Sequence, residues 1–374
     1  NQFLGSKELS QYDAELSRET DLWIGDCYYA RGDYDAAADK YLSFAEASSD
    51  DAINLSLAYY NLGYARLKSK RYDDAITNFE NALDDTKNLE KEVVADAYCR
   101  IGDCYYYNSD FSEAIKNYEK AYKANPETGD YALYQKAMMS GNRRDYGTKV
   151  KVLNEVLEQF PTSGLIPSVL LQKAECYIEQ QKYGNAIETY KQLVKEYPTT
   201  SQGRNGYLQL AIAYLNQGNK SKAIDAYKSV IIDYPTSDEA RVASQDLMRI
   251  YANDNMLETY TAFMSTVPGA LPIEKSELEE AAFIAAENAY LDGKGDQQLK
   301  SYLKQYPGAA HETAVLSLLA VSAYNNDNEK DALKYANDVI TRYPDNVAVE
   351  SAADYLRDQY DIYNIDSSTA GAGF

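Results

Sequence analysis

Side chains able to do chemistry are unevenly supplied in this 374-residue sequence: one histidine, four cysteines, 58 carboxylates and 37 tyrosines. With His311 standing alone, most imidazole-based catalysis and His-rich metal binding are excluded. Zinc sites need closely spaced ligands such as C-x2-C, and Cys27, Cys99, Cys104 and Cys176 offer no such pair. Asp33-Tyr34-Asp35 opens like a calcium loop but lacks the Gly and the terminal Glu that the loop requires. H-E-x-x-H, G-x-S-x-G and G-x-x-x-x-G-K are all absent. Carboxylates this numerous meet by chance, and on helices they are ordinarily just solvated. His311, following Tyr306-Pro307-Gly308, is expected at a surface or a helix terminus. No catalytic constellation emerges. The expectation is a non-enzymatic protein with no cofactor and no metal.

What remains is the tyrosine excess: 37 Tyr against 8 Phe and 1 Trp. The net charge of −21 and a pI near 4.5 argue against nucleic acid, whose phosphates demand Lys and Arg. A 45% hydrophobic fraction is enough for a core. No run of about 18 apolar residues is present, so no transmembrane segment is expected.

The elements that must carry these tyrosines repeat. Phe160-Pro161, Tyr197-Pro198, Tyr234-Pro235, Tyr306-Pro307 and Tyr343-Pro344 recur; with Pro126 and Pro268 the intervals are 35, 37, 37, 33, 39 and 37 residues. Each interval holds an Ala-rich apolar stretch, a short polar turn and a second amphipathic stretch ending at the Pro. Turn candidates are Gly32-Asp33, Asn108-Ser109, Gly218-Asn219 and Asn326-Asp327. Ala186, Ile187, Tyr190, Leu193 and Val194 show the helical spacing of the second stretch. Proline ends that helix by disfavouring helical geometry in the residue before it. A helix–turn–helix unit cannot bury its apolar face alone, and stacking on neighbours solves this.

The pattern resembles the tetratricopeptide repeats, whose 34-residue unit places aromatics at positions 4 and 24, Leu at 7, Gly or Ala at 8, Tyr at 11, Ala at 20 and 27 and Pro at 32. The third repeat reads Tyr98, Ile101, Gly102, Tyr105, Ala114, Tyr118, Ala121, Pro126; the sixth reads Tyr207, Leu210, Ala211, Tyr214, Ala223, Tyr227, Val230, Pro235. The resemblance implies an all-α, right-handed α-solenoid of stacked antiparallel helix pairs. Nine repeats are expected over 18–344. The fourth, seventh and eighth are degenerate: Lys149 stands where Ala is expected, and the eighth has a shortened second helix. Residues 1–17 are read as the end of a preceding helix and a linker, so that the sequence continues a longer array. Residues 345–363 are read as a capping helix and 364–374 as a flexible tail. In this register Cys27, Cys104 and Cys176 share position 10, a packed site suited to a small side chain, and free buried thiols are expected. Gly or Ala at 8 and Ala at 20 mark the closest helix approach.

The resemblance also implies a binding face. First helices line the concave groove, with positions 2, 5, 9, 12 and 13 exposed to a peptide. No 5/9 pair is Lys/Asn (they run from Leu22/Asp26 and Tyr60/Tyr64 to Ser317/Val321), so the carboxylate-clamp type of chaperone-tail binding is rejected. Twenty tyrosines fall at positions that pack or close turns. Eight fall on the inner face: Tyr29, Tyr60, Tyr64, Tyr106, Tyr107, Tyr131, Tyr134 and Tyr324. Asp26, Asp96 and Asp103 share the stretch that holds the first seven, which with Asp26 and Asp103 form the candidate partner-binding groove. Tyrosine suits such a role, offering apolar area and a hydroxyl at little entropic cost. Net charge runs −10 over 1–160, +1 over 161–250 and −12 over 251–374, favouring a partner protein or peptide with basic or neutral segments.

The expected function is a protein–protein interaction scaffold. The endings Tyr197-Pro198-Thr199-Thr200 and Tyr234-Pro235-Thr236-Ser237 resemble those of tetratricopeptide proteins of the bacterial envelope, in outer-membrane assembly or periplasmic coordination. That resemblance implies a periplasmic or envelope setting, with the cytoplasm as the alternative. The competing functions are a repeat module attached to a catalytic or signalling domain outside this chain, and a glycan- or peptidoglycan-binding structural protein.

Overall fold

The computed structural model describes residues 7–47, 52–84 and 86–343, with the side chains of 7–18, 52, 53 and 88 left aside. The expectations for residues 1–6, for the capping helix and for the tail lie outside the described residues. Every regular element described is helical, as the repeat pattern requires. The chain divides into two compact units, 1–206 and 207–374.

In the first unit the helices are α1 (Lys7–Ala30), α2 (Tyr34–Ala47), α3 (Ala52–Lys68), α4 (Tyr72–Ala82), α5 (Lys91–Tyr107), α6 (Phe111–Ala124), α7 (Asp130–Asn142), α8 (Tyr146–Gln159), α9 (Ile166–Glu179) and α10 (Tyr183–Glu196). Consecutive helices pack as pairs, and each pair packs on the next. Helix α11 (Ser201–Asn216) runs across the division. The second unit continues with α12 (Lys220–Asp233), α13 (Asp238–Asn253), α14 (Leu257–Ser265), α15 (Lys275–Leu291), α16 (Gln297–Gln305), α17 (Glu312–Asn325) and α18 (Glu329–Arg342). There α13 packs on both the nine-residue α14 and α15. Residues 7–17, expected as a preceding helix and linker, are the first turns of α1 itself. They contain no Gly or Pro to interrupt it.

Proline sets the ends of the second helices as expected. Helices α8, α10, α12, α16 and α18 stop one residue short of the aromatic that precedes each Pro. The turns inside the pairs share one geometry. Gly32 N donates to Tyr29 O and Asp33 N to Tyr28 O; Ser109 N donates to Tyr106 O and Asp110 N to Tyr105 O. This is the Schellman arrangement, which needs one residue in the left-handed region. Gly32 (φ 79°) and Gly218 (φ 81°) adopt it freely, whereas Lys70, Ser109, Arg144, Gln181, Asn255 and Asp327 adopt it with a Cβ. The next residue often caps the second helix, as Asp110 does for Glu113 N and Asn219 for Lys222 N.

The closest helix approach is sharper than the repeat pattern implied. A Cβ on Gly25, Gly63 or Gly102 would lie 2.6, 2.8 or 2.7 Å from the ring of Tyr41, Phe79 or Tyr118. Position 8 is therefore small because the aromatic at position 24 lies flat against it. The fourth repeat answers with Ala137 and the smaller Leu153, both buried. Its anomalous Lys149 is only 7% exposed, and its Nζ donates to Gln172 Oε1 at 2.6 Å.

All four cysteines are free thiols; Cys99, Cys104 and Cys176 are buried but Cys27 is exposed, contrary to the expectation. Elsewhere position 10 packs on the preceding helix pair, as Cys104 does beside Ala75, Ile76 and Phe79 of α4. His311 sits at the N-cap of α17, as expected for a helix terminus, but it is not free on the surface. Its ring stacks on Phe283 at 4.2 Å, and Nδ1 lies 2.9 Å from Glu279.

Candidate functional site

The seven candidate tyrosines of the first four repeats come from α1, α3, α5 and α7, with their two aspartates on α1 and α5. The structure separates them into an internal network and an open set. At the centre of the network is Arg100 on α5. Its Nη1 donates to Asp103 at 2.5 Å and its Nε to Asp96 at 3.3 Å, and its guanidinium lies 5.0 Å from the centre of the Tyr131 ring. The i, i+4 and i, i+3 spacing from Asp96 to Arg100 to Asp103 puts all three on one helix face.

Four phenols converge on the two carboxylates. Tyr60 donates to Asp96 Oδ2 at 2.7 Å and Tyr64 donates to the same oxygen. Tyr118 and Tyr131 donate to Asp103 Oδ1 at 2.7 and 2.9 Å. Burial first, and then the adjacent Asp, pushes all four phenols well above their ordinary value, so they remain neutral donors. Burial opposes the charge on Arg100, but Asp103 and Asp96 beside it outweigh that and keep it protonated.

Asp103 lines the cavity beside Tyr106 and Tyr107, but its carboxylate is engaged within the network. It is 9% exposed, and its oxygens are occupied by Arg100, Tyr118 and Tyr131. Tyr60, Tyr64 and Tyr131 present ring faces while their hydroxyls are committed inward. Tyr134 is half-buried against the core around Leu133 and Val152. Sequence register placed these residues on the right helices but could not show which hydroxyls were already spent. It also missed Arg100 and Gln135. The spacing Asp96, Arg100, Asp103 was the available signal for Arg100.

The open set has two parts. Tyr106 and Tyr107, at the end of α5, are 41% and 57% exposed. Tyr107 stacks on Tyr72 of α4 at 4.8 Å and 11°. With Lys68, Lys70, Arg100 and Gln135 these rings line a cavity of about 510 Å³. A second cavity, of about 280 Å³, is lined by Asp26, Tyr29, Tyr41, Tyr60, Asn61 and Tyr64. There Tyr41 donates to Asp26 Oδ1 at 2.7 Å, repeating between positions 24 and 9 the Tyr118–Asp103 bond of the third repeat. Tyr324 of the second unit is half-buried on α17.

Among the described residues no group of three or more His, Cys, Asp or Glu side chains is placed to hold a metal ion. None of their helices is long and apolar enough to cross a membrane.

Comparison with known proteins agrees with this architecture. Tetratricopeptide-repeat models match residues 9–52, 54–127, 168–200, 206–237 and 314–346. The chain belongs to the tetratricopeptide-repeat family. Proteins of this family mediate protein–protein interaction, and their repeats are typically non-catalytic. Human DnaJ homolog subfamily C member 7 is 30% identical over 130 residues, which is 33% of this chain and 24% of the human protein; the mouse protein matches over the same shares. The chain thus corresponds to about a quarter of the length of these curated relatives. Similar solved structures include Pseudomonas aeruginosa pilF (15% identity, 63% of this chain and 99% of that one, TM-score 0.45). Another is YrrB, described as a TPR protein with an unusual peptide-binding site (19% identity, 56% and 99%, TM-score 0.41). A third is the C-terminal part of a TPR repeat-containing protein from Cytophaga hutchinsonii (14% identity, 78% and 98%, TM-score 0.44).

Proposed function

We propose that the chain is a non-enzymatic scaffold that binds a segment of a partner protein along the first helices of repeats one to four. The observation that carries this reading is the exposure of Tyr106 and Tyr107 beside the 510 Å³ cavity. Large aromatics left open next to a concavity are the composition of interface hot spots. The carboxylate–phenol network beneath them supports the same reading. It fixes the rings of Tyr60, Tyr64 and Tyr131, so a partner meets a pre-organised surface and less ordering entropy is lost on binding.

The setting we propose is the bacterial envelope. The support is the Tyr-Pro-Thr-Thr and Tyr-Pro-Thr-Ser endings at 197–200 and 234–237. Fractionation of native cells tests it, and recovery in the cytosolic fraction alone refutes it. Binding is tested by crosslinking and capture from native cells with the wild type and a Tyr106→Ala/Tyr107→Ala variant. Partner recovery is expected to fall at least tenfold while the helical signal is unchanged. Equal recovery by both proteins refutes the reading.

A further inference from the structure

The 280 Å³ cavity between the first two repeats has a composition that the broader reading does not explain. Its walls are Tyr29 of α1, Tyr41 of α2 and Tyr60 and Tyr64 of α3, joined by Asn61 and by Asp26 of α1. Four aromatic rings and one carboxylate line an open concavity of side-chain size, just below the range of small-molecule pockets. No Lys or Arg lines it. Each aromatic face carries partial negative charge, so rings gathered around one space attract a cation.

The charges sort the same way. Asp96 and Asp103 already share Arg100. Asp21, one turn before Asp26, holds Lys40 at 2.9 Å. Asp26 accepts one phenol hydrogen bond, from Tyr41, and pairs with no Lys or Arg among the described residues. It is exposed to solvent, so a cation can reach it. The hydroxyls of Tyr60 and Tyr64 point away onto Asp96, which turns ring surface rather than hydroxyl toward the space. Tyr60 and Tyr64 meet edge-to-face at 5.1 Å and 75°, with Phe79 behind both, so the wall is rigid. Three of the four phenol hydroxyls that a sugar could use here are already given to Asp26 and Asp96.

We infer that this cavity is a cation-binding cage that takes a lysine or arginine side chain of the partner segment, with Asp26 as its counter-charge and Tyr29, Tyr60 and Tyr64 as its walls. The inference rests on the groove reading for the source of the cation, and it adds what that reading lacks: the chemistry of one anchoring residue. The Arg100–Tyr131–Asp103 arrangement, two repeats further along, is the same pairing made by the chain with its own guanidinium.

The test uses the full chain and capped tripeptides, acetyl-Gly-X-Gly-amide with X lysine, arginine or norleucine, titrated by saturation-transfer NMR. The lysine and arginine peptides are expected to saturate, and norleucine to bind at least fivefold more weakly. Asp26→Asn, whose amide oxygen still accepts from Tyr41, should weaken lysine binding about five- to thirtyfold. Tyr29→Leu should do likewise, while Tyr29→Phe should match the wild type. Asp39→Asn makes the same change in net charge on the exposed side of α2 and should leave binding unchanged. Equal binding of norleucine and lysine, or undiminished binding to Asp26→Asn, overturns the proposal. Choline binding more than tenfold tighter than lysine would make this a small-molecule ammonium site, and N,N′-diacetylchitobiose displacing the lysine peptide would make it a sugar site. Either outcome overturns the assignment to a partner side chain. If Asp26→Asn captures partner normally while Tyr106→Ala/Tyr107→Ala does not, the groove reading stands and the cage fails. Asp26-dependent lysine binding with unchanged capture by the Tyr106/Tyr107 variant gives the reverse.

Discussion

Replacing Asp103 with Ala separates an internal role from a partner-binding one. The side chain takes three hydrogen bonds: from Arg100 at 2.5 Å, Tyr118 at 2.7 Å and Tyr131 at 2.9 Å. The three donors fare differently once it is gone. Tyr118 is 1% exposed, so its hydroxyl is orphaned at a cost of about 1–3 kcal/mol. Arg100 keeps Asp96 but loses its shorter contact, at about 1–2 kcal/mol. Tyr131 is half-buried and can turn to water. The total is about 2–5 kcal/mol, overlapping the range for removing one member of a buried ion pair. Repeat arrays open locally, so the suitable assay is hydrogen exchange of the α5 and α6 amides. Their exchange should accelerate between about thirtyfold and a few thousandfold, at about 1.4 kcal/mol per decade. Tyr118→Phe removes the orphan in advance, so the double variant should cost about 1–2 kcal/mol less than the sum of the single ones. Acceleration below tenfold, or strict additivity, would refute the assignment of Asp103 to the core.

Three further outcomes follow from the same geometry. Gly102→Ala pushes a Cβ to 2.7 Å from the Tyr118 ring, and should destabilise the third repeat by about 1 kcal/mol net after the helix-propensity gain, measured by the same exchange. Burial pushes the Glu175 carboxyl up while Lys149 draws it down, so Lys149→Met should raise the carboxyl pKa further in an NMR titration; no movement would show that the charge is not felt. Burial also raises the Glu279 carboxyl, but hydrogen bonds from Tyr302 and His311 outweigh it and hold the group below its ordinary value near 4.5. Its stabilisation is therefore complete above that value and lost as pH falls through the depressed one, so Glu279→Gln should flatten the acid side of the thermal-midpoint profile of the second unit.

How much was legible depended on what each residue answers to. Proline spacing and small residues at position 8 answer to local geometry and to one repeated contact, so the paired-helix repeat, the helix ends and the smallness of position 8 could be read directly, whereas the Tyr118 ring pressed against Gly102 could not. Lys149 could be flagged as a misfit, but its accommodation by Gln172 lies 23 residues away and follows no period. Cys27 shows the limit of register: it shares position 10 with the buried Cys104 and Cys176 and is nevertheless exposed.

The tyrosines show the same division. Register alone assigned twenty of them to the architecture and placed eight on one face, because helical periodicity fixes which side of a helix a residue occupies. It could not tell the ring from the hydroxyl. Only the packed repeats decided that Tyr60, Tyr64 and Tyr131 give their hydroxyls to Asp96 and Asp103 while Tyr106 and Tyr107 stay open. The reason is physical: a period specifies direction from one helix, whereas a hydrogen bond across 28 to 36 residues is specified by where the next repeat lands.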